Sequence, residues 1–495
     1  MTDDGTSFPD PTYRDTVLAP LFEGVKRHYA FHMAEINRAH LVMLTETEIL
    51  PKEHAALIAR ALQDIDRHID IAALEFSGQH EDYFFLVEAE LLKRVGDLGG
   101  ALHTARSRND MDHTAFKMAL RSRAAALMNQ VQSLTMSLIE KAESEKNTLI
   151  VAYTHGQPAQ PTTFGHYLGA VIEVLLRDAQ RMNTAVDGLE HCPMGAAAIT
   201  TSGFPIDRIR MANLLGFEQP MLNSYGCIAS VDYITGLYSA MKLVFLHLGR
   251  VIQDMQFWSS FEVGQLYVPN SLVQISSIMP QKRNPVPIEH LRHLASATVG
   301  RCDLIVNTMH NTPFTDMNDS EGEVQQAGYS AFESGARFLQ LLSAFLPTCS
   351  ISTDNVRRNL DSACVTVTEL ADTLVREDGV TFRQAHGIAA NTTRSVIENE
   401  NPLGSGFEAF QAAFKAEMDS ASTLSEVAFK HAVSPETFVS RRDLLGGPGP
   451  NALSSALNSY AESHDTLVLA SLERSSRHAA AVDALDTAFD ALLEK

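Results

Sequence analysis

Apolar residues recur at Leu120, Ala124, Leu127, Val131, Leu134, Leu138 and Ala142, in steps that alternate between four and three until the last. The pattern returns at Ile234, Leu237, Met241, Val244, Leu248, Val251, Met255 and Trp258. A repeat of this kind places one apolar stripe along a helix and predicts the seam of a long bundle or coiled coil. A third stretch, 168–189, is similar but less regular. Alternation with period two, the mark of a half-buried strand, is scarce. The chain reads as all-α. A seam this long is covered either by other helices of the same chain or by neighbouring subunits, and the period alone leaves both open.

At about 150 residues per domain, 495 residues predict roughly three domains. The expected divisions are a helical N-terminal domain over 1–104, a central long-helix bundle over 105–360 and a helical C-terminal domain over 361–495. The last contains a turn-forming Gly446-Gly447-Pro448-Gly449-Pro450. Against 39 basic side chains stand 60 acidic ones, a net charge of −21. That balance argues against nucleic-acid or anionic-membrane partners, and it means an anionic substrate needs local basic clusters. The five cysteines are scattered, with no CxxC pair, so reduced thiols in a cytoplasmic protein are expected. The start Met1-Thr2-Asp3-Asp4-Gly5 is acidic and lacks an apolar core, so no signal peptide is expected. No run of about 18 apolar residues predicts a membrane span.

Three polar clusters interrupt the helical pattern. The first, Ser276-Ser277-Ile278-Met279-Pro280-Gln281-Lys282-Arg283-Asn284-Pro285, packs two hydroxyls, a lysine and an amide between stiffening prolines. The prolines hold Met279 and Asn284 out of the helical region, so this is a loop. A capped connector would explain the prolines but not the Ser-Ser, Lys and Asn. The second, His103-Thr104-Ala105-Arg106-Ser107-Arg108-Asn109-Asp110, sets arginines, a hydroxyl and an amide just before a long helix. It reads equally as a carboxylate cage or as a helix cap with surface arginines. The third, Tyr153-Thr154-His155-Gly156-Gln157-Pro158, continues through Pro161 and Thr163 and reads as a loop at a helix end. Its histidine is a general acid or base, or a loop residue bonded to backbone. His28/His32 and His290/His293 have the helix spacing of metal ligands, yet no HExxH occurs and no metal is expected.

The Ser276–Pro285 segment resembles the signature loop of the fumarase/aspartase superfamily, Gly-Ser-Ser-x-x-Pro-x-Lys-x-Asn-Pro, with Ile275 in place of the glycine. His103–Asp110 resembles the His-Thr-Gly-Arg-Ser-Arg-Asn-Asp of argininosuccinate lyases, with Ala105 at the glycine. Tyr153-Thr154-His155, Ala159-Gln160-Pro161, Phe164-Gly165-His166-Tyr167, Phe204-Pro205-Ile206-Asp207-Arg208 and Phe382-Arg383-Gln384-Ala385-His386 are similar to the same family. The resemblance implies a three-domain all-α subunit, a homotetramer with shared active sites, no cofactor, and elimination of an amine from a succinyl group to give fumarate. It implies roles residue by residue. Ser276 is the base, and Lys282 and Asn284 stabilise the dianion. Thr154 and His155 serve the leaving-group side, and Ser107, Arg108 and Asn109 the carboxylate cage. Ser277 and Met279 border the substrate from the loop, and Asn37 contacts it from the N-terminal domain.

The match departs from argininosuccinate lyases on the amine side. Their Asp-Arg-Asp after an Asn-Ser pair corresponds to Ser230-Val231-Asp232 here, so the arginine has become Val231. Their Asn-Arg-Asp-Leu-Gln-Glu-Asp-Lys corresponds to the stretch 314–323, Phe-Thr-Asp-Met-Asn-Asp-Ser-Glu-Gly-Glu, without the glutamine and the lysine. The reading is a lyase of another N-substituted aspartate, with the aminopolycarboxylate ethylenediamine-N,N′-disuccinate (EDDS) as the favoured substrate. Argininosuccinate is the alternative, and a non-catalytic crystallin-like structural protein the more remote one.

Overall fold

The computed structural model of the protein describes residues 8–494. The acidic start 1–5, on which the signal-peptide expectation rests, lies outside the described residues. Five long helices make the centre: Arg108–Ser144, Phe164–Asp187, Asp232–Trp258, Val286–Thr308 and Gly322–Thr348. Each packs on the next and the last returns to the first, so they close a ring. Strands occur among the described residues only as four two-stranded ribbons, and the all-α expectation holds. No helix among the described residues is long and apolar enough to cross a membrane.

Both seams point into this ring. Leu120, Ala124, Val131 and Ala142 are fully buried, as are Ile234, Leu237, Met241 and Val244. The repeat is thus satisfied within one chain, and the intrachain reading is the one found. Two glycines set how closely the helices approach. A Cβ on Gly335 would lie 2.6 Å from Phe245 Cζ, and one on Gly328 would lie 2.2 Å from the Tyr238 hydroxyl. Phe245 in turn meets Phe338 edge-on with centroids 5.5 Å apart.

Residues 364–433 form a separate apolar core, in which Phe410 and Phe429 stack 5.1 Å apart. There the buried Glu369 accepts hydrogen bonds from Arg441 at 2.7 Å and Arg442 at 2.8 Å. The final helix, Pro450–Leu493, leaves this core and returns to the bundle, where Leu453, Leu457, Leu467, Leu485 and Phe489 join the main core.

The course of the ring decides where the polar clusters sit. Helix 108–144 starts beside the starts of helices 232–258 and 322–348: Tyr233 Oη lies 3.5 Å from His113 Nδ1 and accepts from Gln325 Nε2 at 3.4 Å. The opposite end gathers the end of helix 232–258, the start of helix 286–308 and the segment 149–163. Arg292 donates to Gln253 at 2.9 Å, and Tyr153 meets Phe257 edge-on at 5.0 Å. The 27-residue helix Asp232–Trp258 between the two ends is roughly 40 Å long at about 1.5 Å per residue.

Candidate functional site

Helix 108–144 is capped by its own first turn. Ser107 Oγ accepts the Asn109 N–H at 3.4 Å, and Asp110 Oδ1 accepts the Ser107 N–H at 3.0 Å. The other Asp110 oxygen accepts the N–H groups of Gly195 and Ala197, both at 2.9 Å. One buried carboxylate therefore ties the helix start to the 193–201 loop. Burial pushes its pKa up to about 6, against the lowering by those backbone donors and by Arg106. Ala105, at the position of the family glycine, has φ +61°, the left-handed region that favours glycine. That turn lets Arg106 point inward, where its guanidinium donates to Asn37 Oδ1 at 2.7 Å. Burial lowers the Arg106 pKa to about 10. Asn37 is buried, and its amide oxygen is taken by this contact.

Arg108, the expected cage cation, donates to Glu81 at 3.0 Å and Asp82 at 2.7 Å and lies 4.9 Å from the centre of the Phe85 ring. Its charge is matched within the subunit. Asn109 points the other way, and its Nδ2 donates to Asp316 Oδ2 at 2.7 Å and to the Ala198 carbonyl at 3.3 Å. Behind Asp316 lies an acidic group that sequence reading did not assemble: Asp112, Asp316 and Glu321, with the buried His113. His113 Nε2 stands 3.7 Å from Glu321 Oε1 and has no hydrogen-bond partner. Burial pulls the His113 pKa down to about 4, so its ring is neutral. Burial, and then the neighbouring Asp82, push Asp112 up to about 7. Glu321 is pushed up by burial and by Asp316 and Asp112 beside it. His113, Asp316 and Glu321 offer ligand atoms within 4.8 Å of one another and could hold a cation. Neither His28/His32 nor His290/His293 gathers a third such ligand among the described residues. His28 instead accepts from Arg123 at 2.8 Å, and His32 pairs with Glu35 at 2.9 Å.

The other two clusters lie at the far end. Residues 149–163, read from sequence as a loop at a helix end, form an antiparallel hairpin of Leu149–Thr154 and Gln157–Thr163. The apolar run Leu149-Ile150-Val151 favours a strand, and His155 and Gly156 make the two-residue turn with φ +54° and +75°. Thr154 and His155 sit exposed at its tip. Ser276–Lys282 is the loop of a second small hairpin, in which Gln274 pairs with Asn284 and Ile275 with Arg283. Arg283, which no motif singled out, anchors it: the guanidinium donates to the Val268 carbonyl at 2.6 Å and to Asn270, 5.0 Å from the Tyr267 ring centre. Ser276 Oγ accepts the Met279 N–H at 3.1 Å, and the Lys282 N–H donates to the Met279 carbonyl at 3.0 Å. The Lys282 side chain is exposed and makes no hydrogen bond or ion pair among the described residues. Ser277 is exposed, Asn284 half-buried, and Ile275, Ile278 and Met279 present bare apolar surface.

The structure thus brings Ser107, Arg108, Asn109 and Asn37 together at one end of the bundle. Thr154, His155, Ser276, Ser277, Met279, Lys282 and Asn284 lie at the other. About 40 Å of helix separates the two groups within a subunit.

Comparison with known proteins gives this arrangement a family. The lyase family matches residues 25–300, and the argininosuccinate lyase C-terminal family matches residues 364–440. Argininosuccinate lyase 2 of Agrobacterium fabrum is 55% identical over 97% of this chain and 95% of its own. The argininosuccinate lyase of Methanosphaera stadtmanae is 32% identical over 85% and 90%. Among solved structures, EDDS lyase in complex with formate superposes with a TM-score of 0.83 at 27% identity, covering 99% of this chain and 97% of that one. An EDDS lyase variant with bound fumarate gives 0.82 with the same coverage and identity. The chain belongs to the argininosuccinate lyase-like group of the fumarase/aspartase superfamily of lyases.

Proposed function

We propose that this chain is a carbon–nitrogen lyase that eliminates an amine from an N-substituted aspartate and releases fumarate. The observation that carries the reading is the Ser276 loop, in a chain of this family. A hydroxyl there accepts a backbone N–H at 3.1 Å, with the unpaired cation of Lys282 in the same loop. Hydrogen bonds and positive charge favour the alkoxide of such a serine. In the reaction Ser276 Oγ takes the β-proton, and the C–H electron pair passes into the neighbouring carboxylate as a dianion. That pair then forms the C=C bond as the C–N bond breaks. The C–N pair leaves on nitrogen, which takes up a proton from the Thr154/His155 side. Lys282 and Asn284 stabilise the dianion, where one preset donor is worth about 10²–10³ in rate.

Ser107, Asn109 and Arg108 serve the succinyl carboxylates, Asn37 orients Arg106 beneath them, and Ser277 and Met279 close the loop over the substrate. Since the two groups of residues sit at opposite ends of one subunit, a complete site combines different subunits, most simply in a homotetramer. The bare apolar surface of Ile275 and Ile278 is what such a loop needs if it docks on a neighbour.

The amine half favours a substrate other than argininosuccinate, because Val231 stands where that family has an arginine and the stretch 314–323 lacks its glutamine and lysine; aminopolycarboxylates of the EDDS type are the leading candidates. Argininosuccinate itself is the second reading, favoured by the 55% identity to argininosuccinate lyase 2 of A. fabrum. A panel of argininosuccinate, EDDS, adenylosuccinate, aspartate and malate, each followed by fumarate absorbance, tests both. Fumarate from none of them would sink the lyase proposal; argininosuccinate as best substrate by kcat/KM would decide for the second reading.

A further inference from the structure

The acidic group behind Asn109 is not used in the fumarate-forming steps above. Three carboxylates, Asp112, Asp316 and Glu321, share one half-buried space, and Arg108 beside them is already matched by Glu81 and Asp82. The Asp112 carboxylate makes no hydrogen bond among the described residues. Like charges gathered out of water are costly unless a cation joins them. A second, independent observation points at what is missing. His113 is 1% exposed, yet its Nε2 has no partner and faces Glu321 across 3.7 Å, too far for a hydrogen bond. One oxygen of Asp316, Oδ1, is likewise buried and unpartnered. Burial and the neighbouring Asp316 and Asp112 push the Glu321 carboxyl toward holding a proton, so the site keeps a proton that an incoming cation would displace, beside an unpartnered imidazole nitrogen.

We propose that Asp112, His113, Asp316 and Glu321 form the amine-side pocket and take a substrate whose leaving amine carries a second, distal ammonium group. The inference rests on the lyase reading above, in which Asn109 serves the succinyl unit. An ammonium has three N–H donors for the three acceptor types present and a full charge for the carboxylates. The spacing of the acceptor atoms, all within 4.8 Å of one another, suits donors radiating from one nitrogen at about 2.9 Å. Asn109 fixes the location. Its amide donates directly to Asp316 at 2.7 Å, so the pocket is one side chain away from the succinyl cage. The linker between the two nitrogens is therefore short, of the ethylenediamine kind. The pocket also selects between two diamine derivatives. N-(2-aminoethyl)aspartate offers it a primary ammonium, whereas the distal ammonium of the disuccinate is secondary and carries two further carboxylates. Within the aminopolycarboxylate class, the pocket therefore favours the monosuccinylated diamine over EDDS itself.

The test runs the reaction as addition to fumarate and compares ethylenediamine with n-propylamine, which has the same length and no second charge. Fumarate loss is followed for the wild-type enzyme and for Glu321→Gln, Asp112→Asn and His113→Gln. The expected result is a wild-type preference for the diamine of roughly tenfold or more in kcat/KM, falling toward unity in each variant. Calorimetric binding of ethylenediamine alone separates this inference from the lyase reading. If no amine adds to fumarate but ethylenediamine still binds the wild type more tightly than Glu321→Gln, the pocket stands and the lyase reading falls. Equal use and equal binding of the two amines would overturn the pocket. So would a stoichiometric metal in the purified enzyme that is lost in His113→Gln and excludes the diamine.

Discussion

The two ends of the bundle are built on opposite principles. Where helix 108–144 begins, the charged groups of the 103–110 cluster, Arg106, Arg108 and Asp110, are each held by their own subunit. Asp110 collects three backbone N–H groups, Arg106 is locked on Asn37, and Arg108 is matched by two carboxylates. At the other end, His155 tops an exposed hairpin and Ser276 and Lys282 ride an exposed loop whose internal bonds are two backbone contacts to Met279. The first end is preorganised for binding before any partner arrives. The second carries the groups proposed to react and is held by little, as loops that dock or close over a substrate are. Stability and catalysis should therefore separate by location, and each substitution below presses on that separation.

The largest effect is expected at the sparsely held end. Ser276→Ala should lower fumarate formation by roughly 10²–10⁴-fold while the melting temperature stays within a degree or so of wild type. Lys282→Met should follow the same pattern. Near-normal turnover in Ser276→Ala would remove the base from the account.

Asp110→Ala probes the built end. It orphans three backbone donors, two of them on the 193–201 loop. A loss of about 3 kcal/mol is expected in denaturant unfolding. A change below about 1 kcal/mol would show that this end is less preorganised than its hydrogen bonds imply.

Asp112 adds a pH dependence to the same end. Burial pushes its folded pKa up to about 7, well above the ordinary aspartate range, so the folded state holds the proton more firmly than the unfolded chain does. Its destabilising effect is absent below about pH 4 and complete above about pH 7. Asp112→Asn should raise the melting temperature at pH 8 and leave it unchanged at pH 4. An equal gain at both would assign the effect to packing.

The smallest effect is at Ala105. With φ +61° it carries strain that Gly lacks, so Ala105→Gly should stabilise by about 0.5–1 kcal/mol in thermal unfolding. A loss would show that the turn gains more from alanine's smaller unfolded-state entropy than it suffers from strain.

How much of this was legible in the sequence follows the same division. The seams of helices 108–144 and 232–258 were readable because a buried stripe must repeat every three or four residues. The loop at 276–285 was readable from its prolines, and a cap within the 103–110 cluster from its residue types, although the capping residue is Ser107 and not Asn109 or Asp110. The hairpin at 149–163 was not, because Pro158, Pro161 and the His-Gly turn obscure a strand signal only a few residues long. The acidic pocket was not legible either. It joins Asp112 and His113 to Asp316 and Glu321, about two hundred positions away, and only the ring of helices brings them together. The one available signal was the stretch 314–323, where the glutamine and lysine of the family pattern are missing and acidic residues cluster.

The central claim is that the two ends complete each other between subunits. Ser276→Ala and Asn109→Ala enzymes, each inactive alone, should be mixed and allowed to exchange subunits, and the hybrids assayed for fumarate. If the site takes its loop from one chain and its cage from another, about a quarter of the sites in a one-to-one mixture carry both intact residues, and activity returns to about that fraction of wild type. Proven hybrids that remain inactive would contradict the account, because both residues would then have to come from a single chain.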